Sequence, residues 1–479
     1  MTGRAHDPGM TIYVDLDGTL VRTDTLWESL LLLARRRPLA LFALSAPLVR
    51  GKAAFKRALA RAAMPAPGSL PYDPAVMRFL LARRASGQEL VLATAADAEV
   101  ADAVSAHLGI FTSVLASDGR TNNSGAAKRD AILAHAASRP FEYLGDGHGD
   151  EAVRRAAAVA HVVAGMPGAA RLAAAAAAPG TVFDRPRLTL GAVLRALRAK
   201  QWMKNLLVFI PAALSHRIGE PRIMALSLAA FAAFSLCASA VYVVNDLWDL
   251  DADRTHPVKR HRPFANGDVR ITDGLLLAAA SLGCGFSIAA AFLPAAFMAS
   301  LAGYLCVTGM YTFRLKRVVI VDVFVIALCY AYRVAAGSLA TGVPLSAWLI
   351  VFSVFFFLSL AFLKRFAELA MRKTQGLPGE GGRGYAPADI DVIRLLGVAS
   401  GTVAVFVMSL YVTSPQVAVL YRHPAVLWAV VLATMYWLAR VWLLAGRGAI
   451  KDDPFAFTVG DRASYATAAL MAAILVLAS

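Results

Sequence analysis

Residues 243–263 read Val-Val-Asn-Asp-Leu-Trp-Asp-Leu-Asp-Ala-Asp-Arg-Thr-His-Pro-Val-Lys-Arg-His-Arg-Pro. An apolar run over 223–244 flows directly into this stretch. On a helix each residue turns ~100°. Asp246, Asp249 and Asp253 then share a stripe ~60° wide, and Asp251 points elsewhere. Three carboxylates on one stripe repel each other unless a cation lies between them. An oxygen-rich cluster suits Mg²⁺, which keeps waters and shares substrate phosphates. A solvated acidic loop outside a bilayer is the plainer alternative, but the apolar run leading into the motif argues against it. Arg254, Lys259, Arg260 and Arg262 follow at once. A dense basic cluster beside a metal cluster fits a substrate carrying several phosphates. Membrane topology alone explains the sign of that charge but not its adjacency to three carboxylates.

Working outward, the 479 residues are 58% hydrophobic, and the excess falls after about residue 190. A spanning helix needs ~20 mostly apolar residues. Nine segments are expected to span: 194–213, 223–244, 272–291, 294–313, 318–339, 346–363, 391–413, 424–444 and 463–479. Loops on the side of residue 1 carry 17 Lys and Arg, against three (Arg217, Arg222, Arg422) on the other. That bias predicts a multi-pass protein of a bacterial-type inner membrane with its N-terminal part in the cytosol. The polar stretch MTGRAHDPGM runs straight into a strand-like segment, so no signal peptide is expected. The net charge of +16 is better explained by an anionic leaflet and phosphorylated substrates than by nucleic acid, which is not expected as a partner. Cys237, Cys284, Cys306 and Cys329 lie in apolar runs without metal-ligand spacing and read as buried small hydrophobes.

The first 185 residues differ. Residues 11–21 read Thr-Ile-Tyr-Val-Asp15-Leu-Asp17-Gly-Thr-Leu-Val, a strand ending in DxDGT. Two carboxylates two residues apart after a strand can face one pocket, the first as nucleophile and the second as acid and base. Alternating strands and helices predict an α/β doubly wound domain over 1–180, with a helical cap at about 25–75 and a linker over 181–190. The cap has apolar runs, Leu30–Leu33 and Leu39–Leu44, interrupted by Arg35, Arg36 and Arg37 and too short to span. Packing within the cap accounts for them. The alternative is a cap that dips into the membrane surface.

NDxxDxxxD followed by KRxRP, in a chain with nine apolar segments, resembles the UbiA superfamily of intramembrane prenyltransferases. The resemblance covers about 191–479 and implies an all-α membrane domain. The superfamily's second motif, DxxxD, is reduced here to Asp322, preceded by Tyr311 and Lys316. The chain instead looks like the branch that transfers phosphoribose to decaprenyl phosphate. Gln201-Trp202-Met203-Lys204-Asn205, Arg333, Leu363-Lys364-Arg365-Phe366-Ala367-Glu368-Leu369, Asp452-Asp453-Pro454 and Asp461-Arg462 agree with that branch. The resemblance implies a polyprenyl phosphate acceptor, phosphoribosyl diphosphate (PRPP) as donor, and homo-oligomers. Mg²⁺ on Asp246, Asp249 and Asp253 would neutralise the leaving diphosphate. Asn245, Lys204, Asn205, Lys259, Arg260, Arg262, Tyr311, Lys316, Asp322, Arg333, Lys364 and Arg365 are the expected substrate-binding residues. Asp322 and Arg333 are eleven apart on one helix and share a face.

DxDGT resembles the haloacid-dehalogenase phosphatases. Their further motifs match Thr94 after a strand, Lys128 before a helix, and Gly145-Asp146-Gly147-His148-Gly149-Asp150. The resemblance implies a phosphoryl acceptor at Asp15 and an acid and base at Asp17. Thr94 and Lys128 would hold phosphoryl oxygens, and Mg²⁺ would lie at Asp15, Asp17, Asp146 and Asp150. Phosphoribosyl transfer followed by removal of the product's 5-phosphate is the expected sequence of reactions. The alternatives are an aromatic prenyltransferase with a regulatory N-terminal domain, and a transporter.

Overall fold

The computed structural model describes residues 9–146, 149–164, 177–185, 188–374, 384–450 and 454–479. The chain separates into two compact units, residues 1–198 with 242–278, and residues 199–241 with 279–479.

The first unit is built on β1 (Ile12–Val14), β2 (Leu90–Asp97), β3 (Ser113–Ser117), β4 (Glu142–Gly145), β5 (Val159–Ala164) and β6 (Ala178–Asp184). Every pairing is parallel, in the order β3-β2-β1-β4-β5-β6. Parallel strands covered on both faces read as continuous apolar runs, because each face meets a core. In β1, Ile12 and Val14 pack with Leu90, Leu92 and Leu144 on one face. Tyr13 packs with Val91, Ile132, Phe141 and Tyr143 on the other. Strand order reverses at β1, and ligands of such sheets bind beyond the carboxyl ends of the strands at that point.

Helix α1 (Thr25–Arg36) starts where Asp24 accepts from the Leu26 and Trp27 amides. Two short helices, Ala40–Ala43 and Ser45–Arg50, lead to α2 (Lys52–Ala62). Leu32, Leu33, Leu44, Leu59 and Ala63 form the core of this cap. Leu39, Phe42, Leu48 and Val49 are left exposed on its outside. The cap is therefore packed on one side and apolar on the other. Helix α3 (Ala126–His135) carries Lys128.

Among the described residues, seven helices are long and apolar enough to cross a membrane. They contain α4 (Pro221–Trp248), α6 (Ile271–Phe292), α7 (Ala295–Phe313), α8 (Val321–Thr341), α9 (Ala347–Thr374), α10 (Ile390–Val412) and α11 (Trp428–Gly446). Between α4 and α6 lies the short α5 (Leu250–Thr255). The first and last of the nine expected spans fall short of that length. Arg198, at φ 52°, ends one helix at the start of the first segment, residues 199–209 wind as a 3₁₀-helix, and Pro211 opens a new short helix. The last segment, α12 (Arg462–Ala478), has 17 residues. Cys237 is buried as expected, but Cys284 and Cys306 are exposed and Cys329 is half-buried. An outward-facing helix surface meets lipid rather than water, so apolar context did not imply burial in protein.

Candidate functional sites

The first site lies where β1, β2 and β4 end. Asp15 is 7% exposed, and its carboxylate is 3.1 Å from the Lys128 ammonium. Lys128 also reaches Asp150 at 2.9 Å, and the Tyr143 hydroxyl donates to the same carboxylate. Burial works against the charge of Lys128, but Asp15 and Asp150 outweigh it and raise its pKa. Burial pushes Asp15 up to about 6, helped by Asp150 and Asp146 and opposed by Lys128. Burial and the neighbouring Asp24 push Asp17 up to about 8. Asp17 accepts from the Thr25 amide at 2.7 Å, which aims it at the base of the cap. A nucleophile held ionised by an ammonium, beside a carboxyl that keeps its proton near neutrality, suits attack on phosphorus followed by protonation of the leaving oxygen.

Asp15, Asp17, Lys128, Asp146 and Asp150 line one cavity of about 340 Å³. Thr94 does not line it. Thr94 is fully buried, and its hydroxyl accepts from the Ala96 amide at 3.0 Å. Tyr143, which the sequence reading passed over, stands between Glu142 and Leu144 in the buried strand β4. Among the described residues no three His, Cys, Asp or Glu side chains form a ready metal cage. The donors nevertheless fit Mg²⁺, which takes one or two carboxylates and completes its shell with water and phosphate. Gly18 keeps the cradle open, because a Cβ there would collide with the Asp146 carboxylate.

The second set of expected residues surrounds the end of α4. The helix breaks at Asp249, and α5 resumes at Leu250. Of the expected stripe, Asp246 and Asp253 stay on one guanidinium across this break. Arg262 lies 3.0 Å from Asp246 and 2.5 Å from Asp253, while Asp251 pairs with Arg35 at 3.5 Å. Asp246 also accepts from Arg198, a partner that the sequence offered no local signal for. Burial raises the pKa of Asp253 despite Arg262. Asn245 and Asp249 are half-buried beside this pair, with Lys259 half-buried and Arg260 exposed. Arg262 was expected on substrate, and here it bridges two carboxylates. Oxygen donors within one guanidinium of each other fit an oxygen-preferring cation.

In the second unit, Arg333 donates to Asn205 at 2.8 Å and to the Tyr304 hydroxyl at 2.7 Å. The rings of Phe234, Tyr304 and Tyr330 surround its guanidinium. Lys204 stacks over Tyr330. Gly337 lets the 199–209 segment press onto α8, since a Cβ there would strike the Val208 carbonyl. Asp322 belongs to another cluster, with Arg365 at 2.6 Å and the Tyr385 hydroxyl. Asp322 and Arg333 share a helix face, but about three turns separate them, so they serve different groups. Tyr311, Lys316 and Lys364 are half-buried. Asp452 and Asp453 lie outside the described residues.

Residues 205–477 match the UbiA prenyltransferase family, and residues 12–153 match the haloacid dehalogenase-like hydrolases. An uncharacterized protein of Sinorhizobium fredii is 34% identical over 474 residues, 98% of this chain and 92% of its own. The nodulation protein NoeC of Azorhizobium caulinodans is 33% identical, covering 56% of this chain and 87% of its own. Decaprenyl-phosphate phosphoribosyltransferase of Mycobacterium tuberculosis is 37% identical over 200 residues, 41% of this chain and 66% of its own. The chain belongs to the UbiA prenyltransferase family and carries a haloacid dehalogenase-like hydrolase domain ahead of it.

Proposed function

We propose that the protein is a bifunctional inner-membrane enzyme. Its UbiA part transfers 5-phosphoribose from PRPP to a polyprenyl phosphate, and its hydrolase part, in the cytosol, removes the 5-phosphate of that product. The observation that carries the first step is the pair of buried carboxylates, Asp246 and Asp253, interleaved with Arg198 and Arg262 after an apolar helix. The likeness to decaprenyl-phosphate phosphoribosyltransferase supports this choice of donor over a prenyl diphosphate.

An oxygen of the lipid phosphate attacks the anomeric carbon of PRPP. The bond from that carbon to the diphosphate oxygen breaks, and diphosphate leaves with the electron pair. The acceptor is already an anion, so no strong base is required, and positioning and charge stabilisation do the work. Asp246, Asp249 and Asp253 would hold Mg²⁺, which supplies charge neutralisation for the departing diphosphate. Lys259 and Arg260 hold phosphate oxygens, and Arg262 keeps Asp246 and Asp253 together.

In the second step a carboxylate oxygen of Asp15 attacks the 5-phosphorus. The bond from phosphorus to the ribose oxygen breaks, and Asp17 protonates that oxygen. Water then attacks the aspartyl phosphate, Asp17 accepts the water's proton, and inorganic phosphate leaves. Lys128 holds Asp15 ionised and in place. Asp15 and Asp146 would hold Mg²⁺, which screens the phosphoryl oxygens.

The test is incubation of the purified full chain with Mg²⁺, labelled PRPP and a polyprenyl phosphate, with Asp249→Ala in parallel. Label should enter the lipid phase with the wild type only. Asp15→Asn should accumulate the phosphorylated lipid. Transfer instead from a prenyl diphosphate to a small aromatic acceptor would replace this reading with that of an aromatic prenyltransferase.

A further inference from the structure

The cavity that holds Asp15 and Asp17 has a second, cationic wall. Arg22, Arg185, Arg270 and Thr272 line it. Arg270 and Thr272 come from the segment that follows the aspartate-rich motif, more than 200 residues after Asp15 in the chain. That segment is fastened to the hydrolase part of the same unit. Arg254 donates to Glu28 at 2.6 Å and 3.1 Å, both side chains are buried, and Glu28 also accepts from Thr23. Gly267, at φ +77°, packs against Arg22 so closely that a Cβ would collide with it.

The charges on this wall are not balanced. Lys128 is matched by Asp15 and Asp150, and Arg57 by Asp97. Arg22 takes Asp73 at 3.0 Å. The same carboxylate is 4.0 Å from the Arg185 Nε, which is buried without a hydrogen-bond partner. Arg270 has no ion-pair partner among the described residues and lies close enough to Arg185 to disfavour its charge. Arg22 and Arg185 therefore share Asp73, with Asp146 as a more distant counter-charge for Arg185, and Arg270 adds a third guanidinium. Burial pushes Arg185 down to about 10, against the pull of Asp73 and Asp146 and with Arg22 and Arg270 adding to it. An anion between Arg185 and Arg270 would relieve both the repulsion and the unmet donor.

We propose that Arg270, with Arg185 and Arg22, forms an anion subsite of the hydrolase cavity that takes a phosphodiester on the substrate while Asp15 attacks its terminal phosphate. This rests on the hydrolase reading above and deepens it, because the transferase product carries both groups. At about 340 Å³ the cavity is at the small end of ligand pockets, ~300–1,000 Å³. It suits a two-phosphate sugar headgroup, with the polyprenyl chain left outside.

The test compares two soluble phosphomonoesters with the full chain in detergent and Mg²⁺. One is ribose 5-phosphate bearing a methyl phosphodiester at its anomeric oxygen, and the other is methyl riboside 5-phosphate, whose anomeric substituent carries no charge. The wild type should favour the diester in kcat/KM by about ten- to hundredfold, the worth of a charge-assisted hydrogen bond. Arg270→Ala, a change at an exposed residue, should erase most of that preference through KM, and Arg270→Lys should restore part of it. Equal turnover of the two compounds by the wild type, or an equal loss on both in Arg270→Ala, would overturn the subsite. A third substrate, the polyprenyl-phosphoryl ribose 5-phosphate, separates the two readings. If it alone stays uncleaved while the methyl diester is preferred, the subsite stands and the lipid assignment falls.

Discussion

Asp15 and Asp17 stand two residues apart, and the structure gives them different neighbours. Lys128 holds the first, and Thr25 the second. Both carboxyls are raised above the ordinary carboxylate range, to about 6 and about 8. A raised folded pKa means that the native state binds more protons than the unfolded chain between these values. Stability of the metal-free protein should therefore fall as pH rises from about 4 to about 8. Mg²⁺ held at these carboxylates, as proposed, would compete with those protons, so its stabilising effect should grow with pH. Thermal unfolding with Mg²⁺ or with a chelator, at pH 5 and pH 8, checks the sign. A larger metal-induced rise in Tm at pH 5 would count against Mg²⁺ at these carboxylates. Asp17→Asn should slow phosphate release by roughly 10²–10⁴-fold, the usual worth of a positioned acid and base. Steady-state rates on a phosphomonoester measure it.

At the scale of elements, the break between α4 and α5 decides most. It leaves Asp246 and Asp253 on one guanidinium, Arg262, and turns Asp251 to Arg35 of the cap. It also delivers Arg254 to Glu28 of α1, with side chains 5% and 3% exposed. Removing one partner of a buried pair leaves an uncompensated charge, at about 3–5 kcal/mol. Arg254→Ala should destabilise the protein by that order, seen as a lower Tm in detergent. The joint change Glu28→Leu with Arg254→Met should recover much of the loss. The asymmetry follows because a paired charge returns little net stability, whereas an orphaned one costs much.

For the whole molecule, the exposed apolar face of the cap bears on how the proposed lipid substrate would reach the hydrolase. Leu39, Phe42, Leu48 and Val49 are 79%, 78%, 58% and 89% exposed, and Arg35, Arg36, Arg37 and Arg50 lie near them in the chain. Apolar side chains flanked by cations suit an anionic membrane surface. Replacing Phe42 and Val49 with Ser should lower hydrolysis of the proposed lipid substrate in anionic vesicles by at least tenfold, since ~0.8 kcal/mol is lost per buried CH₂ and burial of about two of them suffices for that factor. Turnover of a soluble phosphomonoester is the control. Equal losses on both would assign these residues to folding.

Much of this protein was legible from local spacing. The buried strand Ile12–Val14 ending in DxDGT, the apolar helices from Pro221 to Gly446, and, of the expected stripe of Asp246, Asp249 and Asp253, the meeting of Asp246 and Asp253 follow from periodicity, run length and residue chemistry. These properties act within a few turns of chain, so adjacent residues encode them. Tertiary structure alone decided which charges meet. Arg198 is 48 residues from Asp246, and Glu28 is 226 from Arg254. Arg22, Arg185 and Arg270 come together on one cavity wall from three distant segments. The same holds for the shortfall at 194–213, where polar residues and Pro211 break a segment whose average hydropathy promised a span. Hydropathy sums over a window, whereas buried charges must each find a counter-ion, and only the path of the folded chain supplies one.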